Sequence, residues 1–375
     1  MIQDCSVQAV SLMKPEVTII THFPSPYQVE LFDAVAAQNE INLSVIYLYA
    51  TSPERRWQSP RLDHAGVFVD GPGQEVPRAS ALAGTADLTV FNYYQHPLAR
   101  SWLARRAQAH QPWAFWGERL GFRASALVGW LYRRWALREL ARSPAPIWGI
   151  GRWAVESYQV EFGPARRFHN LPYFSDLTRF GVAASGRVPA GDQIRFLCSG
   201  SLIERKGVDL LATAFRRLAA VEPRAKLCFL GDGPLLPSLR RELTDLAGRV
   251  EFLGFKDWSE LPAIYSRADV LCAPSRHDGW GLIVPEALAA GLPVIGTTRT
   301  GAAREFLRTG HNGWLIPAGD GEALFQAMYD AVRRGPETIA LMSRRAQEAV
   351  ADHTLEQGAA RLGAACRSAL VHWPS

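Results

Sequence analysis

At 375 residues the chain exceeds what a single hydrophobic core ordinarily supports, so two domains are expected. Apolar residues make up 48% and charged residues 21%, a balance that excludes a disordered or fibrous protein. A net charge of +5, from 41 basic against 36 acidic side chains, is too small for nucleic-acid binding unless concentrated in one place.

In chain order, short apolar β-type runs alternate with amphipathic helical stretches, the pattern of parallel α/β architecture. Strands are expected at Val17–Ile20, Leu43–Tyr49, Leu88–Phe91, Trp113–Trp116, Ile147–Ile150 and Phe168–Leu171. A second series follows at Arg195–Ser199, Lys226–Leu230, Val250–Leu253, Val270–Ala273, Val294–Thr297 and Trp314–Ile316, with helices such as Asp209–Ala220 and Leu235–Ala247 between. The stretch Ser175–Asp192 is rich in Gly, Ala and Pro and has a linker's composition. The expected organisation is a Rossmann-like domain over 1–180, a linker over 181–192 and a second Rossmann-like domain over 193–354. A final helix, 355–375, is expected to pack back on the first domain. Ligands of such sheets bind at the C-terminal ends of the strands, here in the cleft between the halves.

The five cysteines (Cys5, Cys198, Cys228, Cys272 and Cys366) lack metal-ligand spacing, and three sit in apolar strand-like runs, which suits a reducing compartment. The start MIQDCSVQAV has no basic n-region with a long apolar core, and no run approaches the ~18 apolar residues of a membrane span. A cytoplasmic protein is expected, with no metal and no cofactor.

The most informative stretch is PSRHDGWGLIVPEALAAGLPVIGT, Pro274–Thr297, between two apolar strands. Gly279 and Gly281 permit a tight turn and close approach of the backbone to a ligand. The N–H groups of Gly281, Leu282 and Ile283 then open a helix, a seat for phosphate. Glu286 stands one turn into that helix and Asp278 just before the turn. Phosphate flanked by carboxylates describes a nucleotide-sugar site.

This segment resembles the retaining glycosyltransferases of group 1, or family four, which have the GT-B fold. Their motif is E-x7-E, written PSxxEGFGLxxxEAxAxGxPVI; here Asp278 replaces the first Glu and Trp280 replaces Phe. The resemblance runs over most of Ile194–Asp330. In RFLCSGSLIERKG, Gly200, Lys206 and Gly207 match the family's GRL…KG pattern, whose Arg and Lys hold the donor diphosphate. Ser201 stands at the family's Arg position, and Arg205 is expected to supply the second cation. Lys206 is one of only four lysines. The GDGP turn places Asp232 toward the cleft, VEFLGFKD makes Phe255 a candidate for base contact, and Gly301 in RTGAAREF faces the donor. No D-x-D motif occurs, so the diphosphate is expected to be neutralised without a metal. The resemblance also implies same-face attack with the leaving phosphate helping to deprotonate the acceptor.

The first half is expected to bind the acceptor. ITHFPSPYQVELF resembles the P-x-PY-x-x-x-LF opening of some family members, which puts Phe23, Pro26, Tyr27 and Gln28 along the cleft. Where many members end a strand in His, this chain has WGE, so Glu118 is the candidate for polarising the acceptor hydroxyl and His96 the second candidate. Nine arginines against two acids concentrate +7 in Leu98–Arg142, and Ala124–Arg142 interleaves Trp, Leu and Tyr with cations. That is the pattern either of a helix lying on an anionic membrane or of one packing its apolar face inward. The function expected is sugar transfer from a nucleotide-diphosphate sugar to a glycan or polyprenyl-linked acceptor, in cell-surface polysaccharide or glycolipid synthesis. A nucleotide-sugar epimerase of the same shape and a catalytically lapsed sugar-nucleotide-binding protein are the alternatives.

Overall fold

The computed structural model describes residues 14–51, 60–70, 75–119, 131, 135–184 and 193–374. Two parallel sheets organise the chain. The first holds β1 (Glu16–Thr21), β2 (Asn42–Tyr47), β3 (Ala65–Phe68), β4 (Leu88–Phe91), β5 (Trp113–Gly117), β6 (Ile147–Gly149) and β7 (Phe168–Asn170) in the order β3-β2-β1-β4-β5-β6-β7. The second holds β8 (Ile194–Ser199), β9 (Ala225–Leu230), β10 (Val250–Gly254), β11 (Val270–Ala273), β12 (Val294–Thr297) and β13 (Gly313–Ile316) in the order β10-β9-β8-β11-β12-β13. Every strand pair is parallel in both sheets. Both orders reverse direction once, between β1 and β4 and between β8 and β11, the crevices where doubly wound sheets bind ligands.

Each expected strand is present within a few residues of its bounds, because buried parallel strands read as continuous apolar runs. β3 is the strand that the sequence reading missed. It is four residues long at the edge of its sheet and contains Gly66, so it carries almost no apolar signal. The helix expected at Leu235–Ala247 is shorter, Leu236–Glu242, followed by a 3-10 turn at Thr244–Leu246.

The two halves share one continuous apolar core. It runs from the first sheet through Phe174 and Phe180 to Tyr265, Trp280 and Val284 of the second. The helix Leu355–Val371 packs on the Pro26–Gln38 helix, where Arg367 pairs with Glu40 and Phe174 and Leu31 lie close over Gly358. A further seam joins Arg152 to Glu305 (3.0 Å) and Arg304 to Glu156 (3.0 Å).

The basic segment Leu98–Arg142 is not one solvent-facing patch. Arg106 is 1% exposed and donates to the carbonyls of Ala83, Gly84, Ala86, Asp87 and Pro112, satisfying the end of the preceding helix. Of the stretch Ala124–Arg142, residues 124–130 and 132–134 lie outside the described residues. Leu131 and Trp135 are exposed, whereas Leu137 and Leu140 are buried. Among the described residues no helix is long and apolar enough to cross a membrane.

Candidate functional site

The strand ends of the second sheet gather the charged residues singled out above. After β8 the chain turns at Gly200 (φ 122°) and passes through a 3-10 turn, Glu204–Lys206, before the helix Val208–Val221. After β11 it reaches Asp278. The crossover brings Lys206 Nζ to 2.5 Å from Asp278 Oδ2, and Arg205 Nη1 to 3.6 Å from Asp278 Oδ1. Arg205 also donates to the His277 carbonyl at 2.9 Å. Burial alone would raise the Asp278 carboxyl, but Lys206, with Arg205 and His277, holds it below the usual carboxylate value. Both cations expected at the donor diphosphate thus converge first on Asp278. Ser201 is exposed beside them. Lys206 does not sit at the helix start itself, because Gly207 (φ 70°) intervenes and packs against the Pro274 carbonyl, where no side chain fits.

Glu286 lies in the helix Ile283–Ala289 and is 3% exposed. Tyr265, itself fully buried, donates to Glu286 Oε2 at 3.2 Å. Burial pushes Glu286 up to about 7, against the Tyr265 hydrogen bond and the charges of Arg179 and Lys206, with Glu30 adding to the rise. A carboxyl at about 7 is poised to gain or lose its proton near neutral pH. Gly281 takes φ 88° and leaves room for Thr300 Cγ2, and the turn closes with Val284 N donating to the Gly281 carbonyl. Leu282 and Ile283 are half-buried at that turn, and Gly301 is buried, its N–H donating to the Asp278 carbonyl.

Gly279 is needed for another reason than its turn. A Cβ there would stand 1.9 Å from Glu118 Oε2 and 2.4 Å from Glu118 Cδ. The carboxylate from the end of β5 therefore abuts the backbone between Asp278 and Gly281, across the cleft. Tyr158 fixes Glu118 from behind by donating to its carbonyl at 2.6 Å. Next to it Trp280, the departure from Phe, is 1% exposed, and its ring occupies the side-chain space of Gly151 (φ 88°). The two departures in this motif thus have physical settings, one charge-paired and one size-matched.

The remaining expected residues are more scattered. Asp232 accepts from the N–H of Gly233 at 2.7 Å, shaping its turn. Phe255 is 40% exposed at the end of β10. Tyr27 packs against Tyr173 and Pro26 opens its helix. Gln28 is 4% exposed, held by Ser25 and Asn92 (each 2.9 Å), so it braces the strand ends from within and does not line the cleft. His96 caps the helix Pro97–Gln108, its Nδ1 accepting from Leu98 N. His22, Tyr49 and Tyr93 were not singled out from sequence; they join Phe23 and His96 because the ends of three strands meet there. A groove of about 800 Å³ along β8–β10, lined by Lys226, Lys256 and Arg267 among others, contains none of these residues.

Residues 193–334 match the family model "Glycosyl transferases group 1". Among curated relatives, a GDP-mannose-dependent alpha-(1-6)-phosphatidylinositol monomannoside mannosyltransferase of Mycolicibacterium smegmatis is 31% identical over 221 residues, 54% of this chain and 58% of the relative. A lipopolysaccharide core biosynthesis glycosyltransferase of Rhizobium meliloti is 32% identical over 193 residues, 46% of this chain and 54% of the relative. The chain thus spans little more than half the length of either. Among solved structures, HepE of Anabaena in complex with UDP superposes with a TM-score of 0.72 at 16% identity, covering 94% of this chain and all (100%) of that one. Sucrose-phosphate synthase from Thermosynechococcus elongatus gives 0.74 at 20% identity, over 95% and 99% of the two chains. Through residues 193–334 the chain is similar to the group 1 glycosyl transferases, and its two parallel sheets have the GT-B fold.

Proposed function

We propose that the chain is a glycosyltransferase that moves a hexosyl unit from a nucleotide-diphosphate sugar to a glycan or lipid-linked saccharide, in cell-surface polysaccharide or glycolipid synthesis. The observation that carries this reading is the meeting of Glu118 with Gly279 between Asp278 and Glu286. It joins a carboxylate from one half to the carboxylates and cations gathered in the other. The second half holds the donor. Lys206 and Arg205 neutralise the diphosphate, without a bound metal, by turning part of their charge from Asp278 to the ligand. Glu286 holds donor hydroxyls, its carboxyl oriented by Tyr265.

Transfer proceeds with retention. The bond from the sugar's anomeric carbon to the leaving phosphate oxygen breaks, and the acceptor oxygen bonds to that carbon on the same face. The acceptor proton passes to the departing phosphate, and Glu118 orients the acceptor hydroxyl. The GDP-mannose-dependent relative makes GDP-mannose the first donor to test, and the complexes of HepE with UDP and with UDP-glucose make UDP-glucose the second. Exposed Leu131 and Trp135 keep a peripheral membrane contact within the reading, tested by co-sedimentation with anionic vesicles.

Thermal-shift measurement against GDP-, UDP- and ADP-sugars, followed by NMR of the product's anomeric proton, tests the reading. A donor-dependent rise in melting temperature and a product of the donor's configuration are expected. Transfer that survives both Lys206→Ala and Glu286→Ala overturns it.

A further inference from the structure

The crevice of the first sheet lies between β1 and β4, and aromatic side chains occupy it. His22 follows β1 and Tyr93 follows β4; their rings stack at 4.3 Å between centroids with an interplanar angle of 15°. Tyr49, which follows β2, meets His22 edge-on at 5.0 Å, and Phe23 does so at 4.8 Å. His96 closes the group against Tyr49 at 5.5 Å. All five rings are half-buried, so each keeps part of its surface open. One strand further along, β5 runs into Glu118.

We propose that this cluster is the acceptor platform and that it binds an uncharged oligosaccharide of several sugar units, extending from Glu118 toward Tyr49. The inference rests on the glycosyltransferase reading and deepens it by naming the acceptor's class and direction. Four of the five rings, two Tyr and two His, combine a flat apolar face with a hydrogen-bonding edge. A pyranose has the same division, with C–H bonds on one face and hydroxyls around the rim. An acyl chain would be met by aliphatic side chains, and a phosphate by Arg or Lys. Burial holds His96 below its ordinary value, so near neutral pH it presents an uncharged imidazole. From β5 through β4 and β1 to β2 is three strand steps, about 14 Å in all. That length exceeds a single sugar ring and suits an acceptor of several.

The purified chain, probed in the presence of GDP and UDP on an array of linear neutral gluco-, manno- and galacto-oligosaccharides and of anionic uronic-acid oligosaccharides, from single sugars upward, tests this. Retention is expected to rise with glycan length. Tyr49→Ala is expected to weaken the longer glycans by about 3- to 10-fold while sparing the shortest, and Tyr93→Ala to weaken all of them. Tyr93→Phe, which keeps the ring, is expected to retain binding. An unchanged melting shift with nucleotide sugars shows that each variant is folded. The inference is overturned if no glycan is retained, if only anionic glycans are, or if both alanine variants bind like the wild type. Nucleotide-sugar shifts in the wild type without glycan retention sink this inference alone. Absence of those shifts as well sinks the glycosyltransferase reading with it.

Discussion

The Glu118 carboxylate stands where a side chain of Gly279 would be, with Oε2 only 1.9 Å from the position of a Cβ. Gly279→Ala therefore displaces Glu118 while leaving the Lys206, Arg205 and Glu286 side chains in place. Transfer, read as kcat/KM, is expected to fall roughly 100-fold, the cost of moving a reacting group by about an ångström. Because the Glu118 side chain can swing away, the melting temperature is expected to stay close to wild type. A variant that unfolds, or one with full activity, contradicts the arrangement.

Trp280 and Gly151 form a matched pair, since a Cβ at Gly151 would lie 2.7 Å from the indole. Gly151→Ala also forces an L side chain into φ 88°. A loss of about 2–3 kcal/mol in unfolding free energy is expected. Adding Trp280→Phe relieves the clash but not the backbone strain, so the double variant is expected to be less destabilised than the two single losses summed. Denaturant titration of all four proteins measures that coupling.

Lys206→Met leaves Asp278 without its nearest cation. The depressed Asp278 value means that the pair's stabilisation is fully present above the carboxyl's unfolded value and is lost as pH falls through its folded one. The variant is thus expected to lose roughly 3 kcal/mol at pH 7 and progressively less in acid. Lys206→Met with Asp278→Asn is expected to recover most of that stability but none of the donor-induced melting shift.

Glu286 carries the opposite sign. Its folded value, about 7, lies above the ordinary 4.5, so the folded protein holds a proton that the unfolded chain has released. Stability is expected to fall as pH rises between those values, by about 3 kcal/mol from this group. Glu286→Gln removes that dependence. Its melting temperature is expected to exceed wild type at pH 8 and to match it at pH 4, while nucleotide-sugar binding weakens. A wild-type profile unchanged by the substitution contradicts the burial of a proton there.

The second half, proposed to hold the donor, was far more legible in the sequence than the first. Asp278, Gly279, Gly281 and Glu286 lie within nine positions, so one strand–turn–helix carries them together. Lys206 needed only the β8–β11 crossover to reach Asp278. Tyr265 gave no signal, since a Tyr in an apolar helix reads as core until Glu286 is seen beside it. The aromatic crevice was equally hidden: His22, Tyr49 and Tyr93 each follow a different strand, and their meeting depends on sheet order. Gln28 was read as lining the cleft but turned inward, because Thr21, Ser25 and Asn92 offer its amide partners that the sequence does not announce.

The same division governs charge. From the residues alone, a total of +5 divides into a +7 segment and a slightly acidic remainder, and alternating apolar periods determine two parallel sheets. Those are local properties, carried by neighbours in the chain. Tertiary structure alone decided that Arg106 faces inward onto five carbonyls, that Arg205 and Lys206 share one carboxylate, and that Glu118 abuts Gly279. Each of these joins residues on separate elements. Their distance is set by strand order and by the packing of the two halves, which no local pattern of side chains encodes.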